Sequence, residues 1–195
     1  MLNVRRIALV AVLAAGTAGC GVNTIPAKEE AAKAKWADVQ NQYQRRADLI
    51  PNLVSSVKGA AANERGTLTA VTEARAKATQ IQLTGDQLRD PEAMKRFAEA
   101  QGEVSRSILQ VRQLQEAYPD LKTNENFLQL QAQLEGTENR ISVARRDYNA
   151  SVQDYNTTIR QFPTAITAKV FYGAKPLTPF QATTPSADQA PKVSF

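Results

Sequence analysis

Asn124 to Phe162 reads NENFLQLQAQLEGTENRISVARRDYNASVQDYNTTIRQF, and its apolar residues decide the fold. They fall at Phe127, Leu130, Leu134, Ile141, Ala144, Tyr148, Val152, Tyr155, Ile159 and Phe162. The steps between them are three or four residues, or seven across the slot held by Thr137. That is the period of one helix face. The stretch has no proline, and as a helix it would reach roughly 58 Å. An apolar stripe of that length must be covered by other helices.

Working backward, Asp90-Pro91-Glu92 is a helix start: aspartate as cap, proline at the first position, an acid near the positive end. Its face is Phe97, Val104, Ile108, Val111, Leu114 and Tyr118, and Tyr118-Pro119-Asp120 ends it. An earlier stripe runs Val54, Val57, Ala61, Leu68, Val71, Ala74, Ala78, Ile81, with Gly59 and Gly66 inside it and Gly85 as a C-terminal cap. Before it come Trp36, Val39, Tyr43 and Ala47, where Trp36 reads as a core anchor.

Pro51 lies between those two stripes. Inside a helix it removes a donor and clashes with the carbonyl four residues back, at about 3 kcal/mol. The helix either kinks and continues, or ends near Arg46 and restarts with Asp48 as cap. A single helix through Pro51 would carry Trp36 and Tyr43 past their partners, so the arithmetic favours a reversal near Pro51. The expectation is all-α: an antiparallel up-and-down bundle of four helices over residues 27–162.

Composition agrees. Hydrophobic content of 43% suffices for a core, and 6% aromatics suits helix packing. There are 24 basic and 19 acidic residues, interspersed, with no basic run carrying aromatics, so no nucleic-acid partner is expected. Histidine is absent, which excludes histidine acid–base chemistry, the Ser/His/Asp triad and histidine metal sites. No nucleophile–base spacing, phosphate loop or metal-ligand cluster stands out. No catalytic residue, metal or cofactor is expected.

Residues 1–19 have the layout of a signal peptide: Arg5 and Arg6, the apolar run Ile7 to Ala15, then small residues. The run is too short to span a bilayer as a helix. Cys20 is the single cysteine and can form no internal disulfide. Thr17-Ala18-Gly19-Cys20 resembles a bacterial lipobox, which implies acylation of Cys20 and a membrane anchor made of several acyl chains. Gly21 in place of aspartate implies the outer membrane, facing the periplasm, in a diderm cell. Residues 20–26 would be a tether. Beyond Pro163, residues 163–195 read as a mostly extended tail, with Val170-Phe171-Tyr172 a candidate to pack across one bundle end. Val193 and Phe195 alternate as strand-adding peptides do, so the tail is a candidate to recruit an envelope protein.

The run Arg45-Arg46-Ala47-Asp48-Leu49-Ile50-Pro51-Asn52-Leu53 is very similar to the signature of the LemA family of bacterial envelope proteins. Trp36, Val57-Lys58-Gly59, Glu64, Glu138-Asn139-Arg140-Ile141, Ala144 to Asn149, Tyr155-Asn156, Arg160 and Phe162-Pro163 also resemble that family. The resemblance implies an antiparallel helical bundle with a largely undefined biochemical role. Three functional readings follow: a lipid-anchored interaction or scaffold module; a sensor binding a small polar or acidic ligand near Arg45, Arg46, Asp48 and Asn52; and an enzyme with unrecognised carboxylate chemistry. Two repeats seven residues apart, Asp147-Tyr148-Asn149 and Asp154-Tyr155-Asn156, put Asn149 and Asn156 on one face. They either set register in the bundle or form a polar strip facing Arg45, Arg46 or Asp48. Arg160 joins the candidate ligand residues through the resemblance.

Overall fold

The computed structural model describes residues 23–59 and 61–181. Among them every regular element is helical and there is no strand. The elements are α1 (Thr24–Lys58), α2 (Arg65–Gln80), a 3-10 helix (Gly85–Arg89), α3 (Pro91–Ala117), the short α4 (Pro119–Thr123), α5 (Glu125–Thr158) and α6 (Thr164–Val170). Cys20, the leader, Val193 and Phe195 lie outside the described residues.

Four rods run alternately up and down. Antiparallel pairing of α1 with α5 is fixed at one end by Lys28 with Asp154 and midway by Arg46 with Glu138. Lys77 with Glu103 and Glu64 with Tyr118 do the same for α2 and α3, and Arg112 with Glu135 for α3 and α5. Two starts follow the capping rule directly. The Asp90 carboxylate accepts from the Glu92 amide at 2.9 Å, and the Asn124 side-chain oxygen accepts from the Phe127 amide at 3.1 Å.

The chain does not reverse at Pro51. Helix α1 continues through it and spans 35 residues, starting at Thr24 rather than Ala27. Pro51 sits on the exposed side, and the carbonyl of Ala47, which loses its helical donor there, accepts instead from Arg75 Nε at 2.7 Å. The length argument fails because the stripe from Val54 to Ile81 is not one helix. It is split between the end of α1 at Lys58 and the start of α2 at Arg65, which leaves α2 with 16 residues. The partner that matches α1 is α5, with 34 residues, so Trp36 and Tyr43 do not overhang. Gly85 does not cap α2, which runs out into extended backbone at Ile81. With φ of +47° it opens the 3-10 helix instead.

The tail also differs from expectation. Residues 164–170 are helical, and Val170, Phe171 and Tyr172 are exposed rather than packed across the bundle end. Phe162, assigned to the long seam, lies beyond the end of α5 and is 82% exposed. What does enter the core is the extended stretch after Gly173: Leu177 and Phe180 are buried beside Trp36, Phe97, Tyr148 and Tyr155.

The core is in two parts. One holds Trp36, Tyr43, Phe97, Tyr148 and Tyr155 toward the start of α1; the other holds Leu53, Val71, Val104, Val111 and Phe127 toward its end. Trp36 stacks edge-on against Phe97 at 5.2 Å, and its indole N–H donates to the Leu83 carbonyl at 2.9 Å. Between the two clusters lies a polar layer.

Candidate functional site

Arg46 forms the centre of that layer. It is 1% exposed, on the inner face of α1 one turn after Tyr43. Its Nη1 donates to Ser105 Oγ at 2.8 Å and to Glu138 Oε2 at 3.0 Å. Its Nη2 donates to the Gln101 carbonyl at 3.0 Å and to Gln101 Oε1 at 2.8 Å. Both terminal nitrogens are thus occupied by groups of α3 and α5. Burial pulls the guanidinium below its ordinary proton affinity, and the Glu138 carboxylate opposes that shift. A planar fork saturated in this way fixes the mutual register of three helices.

The layer extends as a stack. The Arg46 guanidinium lies 5.0 Å from the centre of the Tyr43 ring, and that of Arg145 lies 5.3 Å from it. Arg145 Nε also donates to the Tyr43 hydroxyl at 2.7 Å, and the same guanidinium covers the Phe180 ring at 4.4 Å. Burial raises the Tyr43 hydroxyl above its ordinary value, against the pull of Arg145. Next to the stack, between α1, α2 and α3, is a cavity of ≈ 240 Å³ bordered by Gln40, Gln44, Arg46, Arg75, Gln82 and Gln101, among others.

Phe180 belongs to a second arrangement, on the flank of α5. Asn156 Nδ2 donates to the Leu177 carbonyl at 2.8 Å, and its Oδ1 accepts from the Leu177 amide at 2.9 Å. Asn149 repeats this pattern on Phe180, at 2.9 and 2.7 Å. The hydroxyl of Tyr155 donates to the Lys175 carbonyl at 3.2 Å, and that of Tyr148 to the Thr178 carbonyl at 2.9 Å. Each tyrosine therefore reads the residue before a proline, and each asparagine the residue after it. The two tripeptides are Lys175-Pro176-Leu177 and Thr178-Pro179-Phe180. Geometry explains the match: seven helical residues and three extended ones both advance about 10 Å. The residue before a proline is biased toward extended backbone. Thr178 also donates its amide to the Leu88 carbonyl at 2.8 Å, closing the stretch onto the 3-10 helix.

The family model of LemA matches residues 35–195. The chain belongs to the LemA family. Among curated proteins it has no match. The matched span leaves residues 1–34 outside, and in this LemA chain it takes in the clamped stretch as well as most of the bundle.

Of the residues marked beforehand, only Arg46 lies in the buried layer. Arg45, Asp48, Asn52 and Arg160 are exposed, and the Asp48 carboxylate accepts from Gln44 at 2.8 Å. Asn149 and Asn156 do not face Arg45, Arg46 or Asp48; they hold backbone of the tail. Arg75, Gln101 and the partnering role of Arg145 were missed. Arg145 was visible only as one more charge on α5. A readable signal for the clamp did exist: a tripeptide pattern with proline, repeated at three residues, opposite a Tyr-Asn pattern repeated at seven. No group of three or more potential metal-ligating side chains converges among the described residues, and no helix there is long and apolar enough to cross a membrane.

Proposed function

We propose that this LemA chain is a lipid-anchored interaction module of the bacterial cell envelope, acting by holding partners rather than by transforming a substrate. The observation that carries this reading is the Tyr-Asn ladder of α5. It grips the main chain of an extended segment at four side chains, which is peptide recognition built into the flank of a bundle. Phe180 is held on that flank, so Val193 and Phe195 further along the sequence would be offered from a fixed point to a groove that accepts an added strand. Anchoring is supported by the leader and by Thr17-Ala18-Gly19-Cys20. Gly21 favours the outer membrane, facing the periplasm, where the cell has one.

A photo-crosslinking residue placed at Lys192 in living cells tests the interaction half. The expected result is capture of a defined set of envelope proteins, lost when residues 193–195 are deleted. Capture that is unchanged by the deletion overturns the role of the tail. For the anchoring half, Cys20→Ser should move the protein out of the membrane fraction, and unchanged sedimentation would defeat it.

A second reading is favoured by the cavity beside Arg46. Its glutamine-rich wall suits a small polar molecule with both donors and acceptors, although Arg46 itself has no terminal donor to spare. Native mass spectrometry of the protein taken from cells should then show a small adduct that is lost in Gln101→Leu. Mass spectra matching the bare chain would count against this reading.

A further inference from the structure

Eight large apolar side chains are conspicuously exposed among the described residues, and five fall within one stretch of eleven. Phe162 is 82% exposed, Ile166 56%, Val170 69%, Phe171 75% and Tyr172 43%. The other three, Leu109, Leu128 and Val143, are scattered over α3 and α5. Scattered apolar residues are ordinary, whereas a cluster marks a contact. The helix that carries the cluster is seated on the bundle by its other face. Ala168, on the opposite side of α6, is 2% exposed and belongs to the bundle core, and the Ala174 amide donates to the Ala168 carbonyl at 2.9 Å. Ile166 and Val170 are four apart and share the outward face.

Two further observations say what covers it. Charge is the first. From Tyr155 to Ala187 the sequence has no acidic residue, while Arg160, Lys169 and Lys175 are basic and exposed. Exposed aromatic and aliphatic side chains beside basic ones are what an anionic lipid surface takes up. The second is position. α5 finishes at the end of the bundle where α1 starts, as Lys28 with Asp154 shows, so the patch and Thr24 are at the same end. Cys20 is four residues before Thr24, a span of at most about 14 Å.

We infer that Phe162, Ile166, Val170, Phe171 and Tyr172, with Arg160, Lys169 and Lys175, form a membrane-docking patch that seats this end of the bundle on an anionic phospholipid bilayer. The patch is a second contact besides the lipid on Cys20; its placement toward the bilayer rests in part on the proposed anchoring. With several acyl chains on Cys20 the attachment itself is already stable, so what the patch adds is a fixed orientation of the bundle on the surface. Docking would also set the bundle axis upright on the surface, with the α4 end farthest from it.

The full chain carrying Cys20→Ser, so that an introduced thiol is unique, is labelled with a polarity-sensitive fluorophore at Ile166→Cys or, at the far end, at Leu128→Cys. Each is mixed with vesicles of phosphatidylethanolamine and phosphatidylglycerol containing a lipid-borne quencher. Expected is several-fold stronger quenching at 166 than at 128. It should fall to the level of 128 when Phe162→Ser and Phe171→Ser are added, and weaken when phosphatidylcholine replaces the anionic lipid. Equal quenching at both positions, or no vesicle association at all, overturns the patch. Shielding at 166 that grows with protein concentration in lipid-free buffer assigns the surface to a second copy and also overturns it. Because Cys20 carries no lipid here, a failure of the anchoring reading is seen separately, in cell fractionation of the unmodified chain.

Discussion

Arg75, on α2, donates from Nε to the carbonyl oxygen of Ala47 at 2.7 Å, the one carbonyl in α1 that Pro51 leaves without its helical donor. The proline is tolerated because a neighbouring helix supplies the missing hydrogen bond. Arg75→Met should therefore lower stability by about 1–2 kcal/mol in urea unfolding. In a Pro51→Ala background the alanine N–H restores the helical bond, and the same substitution should cost only a few tenths of a kcal/mol. Equal losses in the two backgrounds would show that Arg75 acts elsewhere.

The buried layer behaves differently on its two sides. Arg46→Met strands the buried acceptors of Gln101 and should cost about 2–4 kcal/mol. Glu138 is half exposed, but its carboxylate is the counter-charge of the buried Arg46, so Glu138→Gln, which keeps an acceptor and loses the charge, should cost about 1–3 kcal/mol. Arg45→Ala, on the exposed face, should leave the melting temperature unchanged. A cellular phenotype of Arg45→Ala with an intact melt would mark Arg45 as a partner contact.

Asn149→Ala and Asn156→Ala each remove two hydrogen bonds to the tail backbone and loosen the seating of Phe180 or Leu177. Each should cost about 1–2 kcal/mol. Hydrogen exchange gives the sharper measurement. The Leu177 and Phe180 amides should be protected in the parent, and each should lose protection with its own asparagine.

Burial pushes the hydroxyls of Tyr43 and Tyr148 above their ordinary value of 10.0, Arg145 partly opposing this at Tyr43. The unfolded chain releases those protons near pH 10 while the folded chain keeps them. Above that pH the unfolded state binds fewer protons, so this contribution is intact below pH 10 and is lost as pH rises beyond it. Urea midpoints should fall between pH ~8 and pH ~11, with tyrosinate absorbance completed only on unfolding. Tyr148→Phe should shrink the pH-dependent part of the fall.

Ile141 is fully buried between α1 and α5, and Leu134 is nearly so in the other cluster. Truncation of either to alanine should cost about 2–5 kcal/mol. Val143→Ala, on the exposed side of the same helix, should stay within about 0.5 kcal/mol.

What was legible in the sequence is what local chemistry decides. The three-and-four spacing of Phe127 to Ile159 gave the long helix, and Asp90 gave the cap of α3, whereas the cap that Asn124 makes on α5 was not read. Pro51 was misread because its local cost is real while its remedy, Arg75, lies 28 residues beyond the Ala47 carbonyl that it satisfies. The break between Lys58 and Arg65 was hidden because apolar residues continue at helical spacing across it, with Ala61 buried within it. The Asp-Tyr-Asn repeats were visible, but their partner was not, since nothing in a helix names the extended chain that it holds. Phe162 and Phe171 show the same limit from the other side: hydrophobicity alone does not tell whether a side chain points into the bundle or away from it.

The clamp on α5 also sets a leash length. With Leu177 and Phe180 seated, Phe195 is tethered from Gln181 by 14 residues, which reach at most about 50 Å. Unseated, the contour that joins Phe195 to Gly173 is 22 residues, at most about 75 Å. If the tail recruits a partner as proposed, a modest change in grip at two asparagines would alter the distance from the bundle at which that partner is met and its effective concentration there.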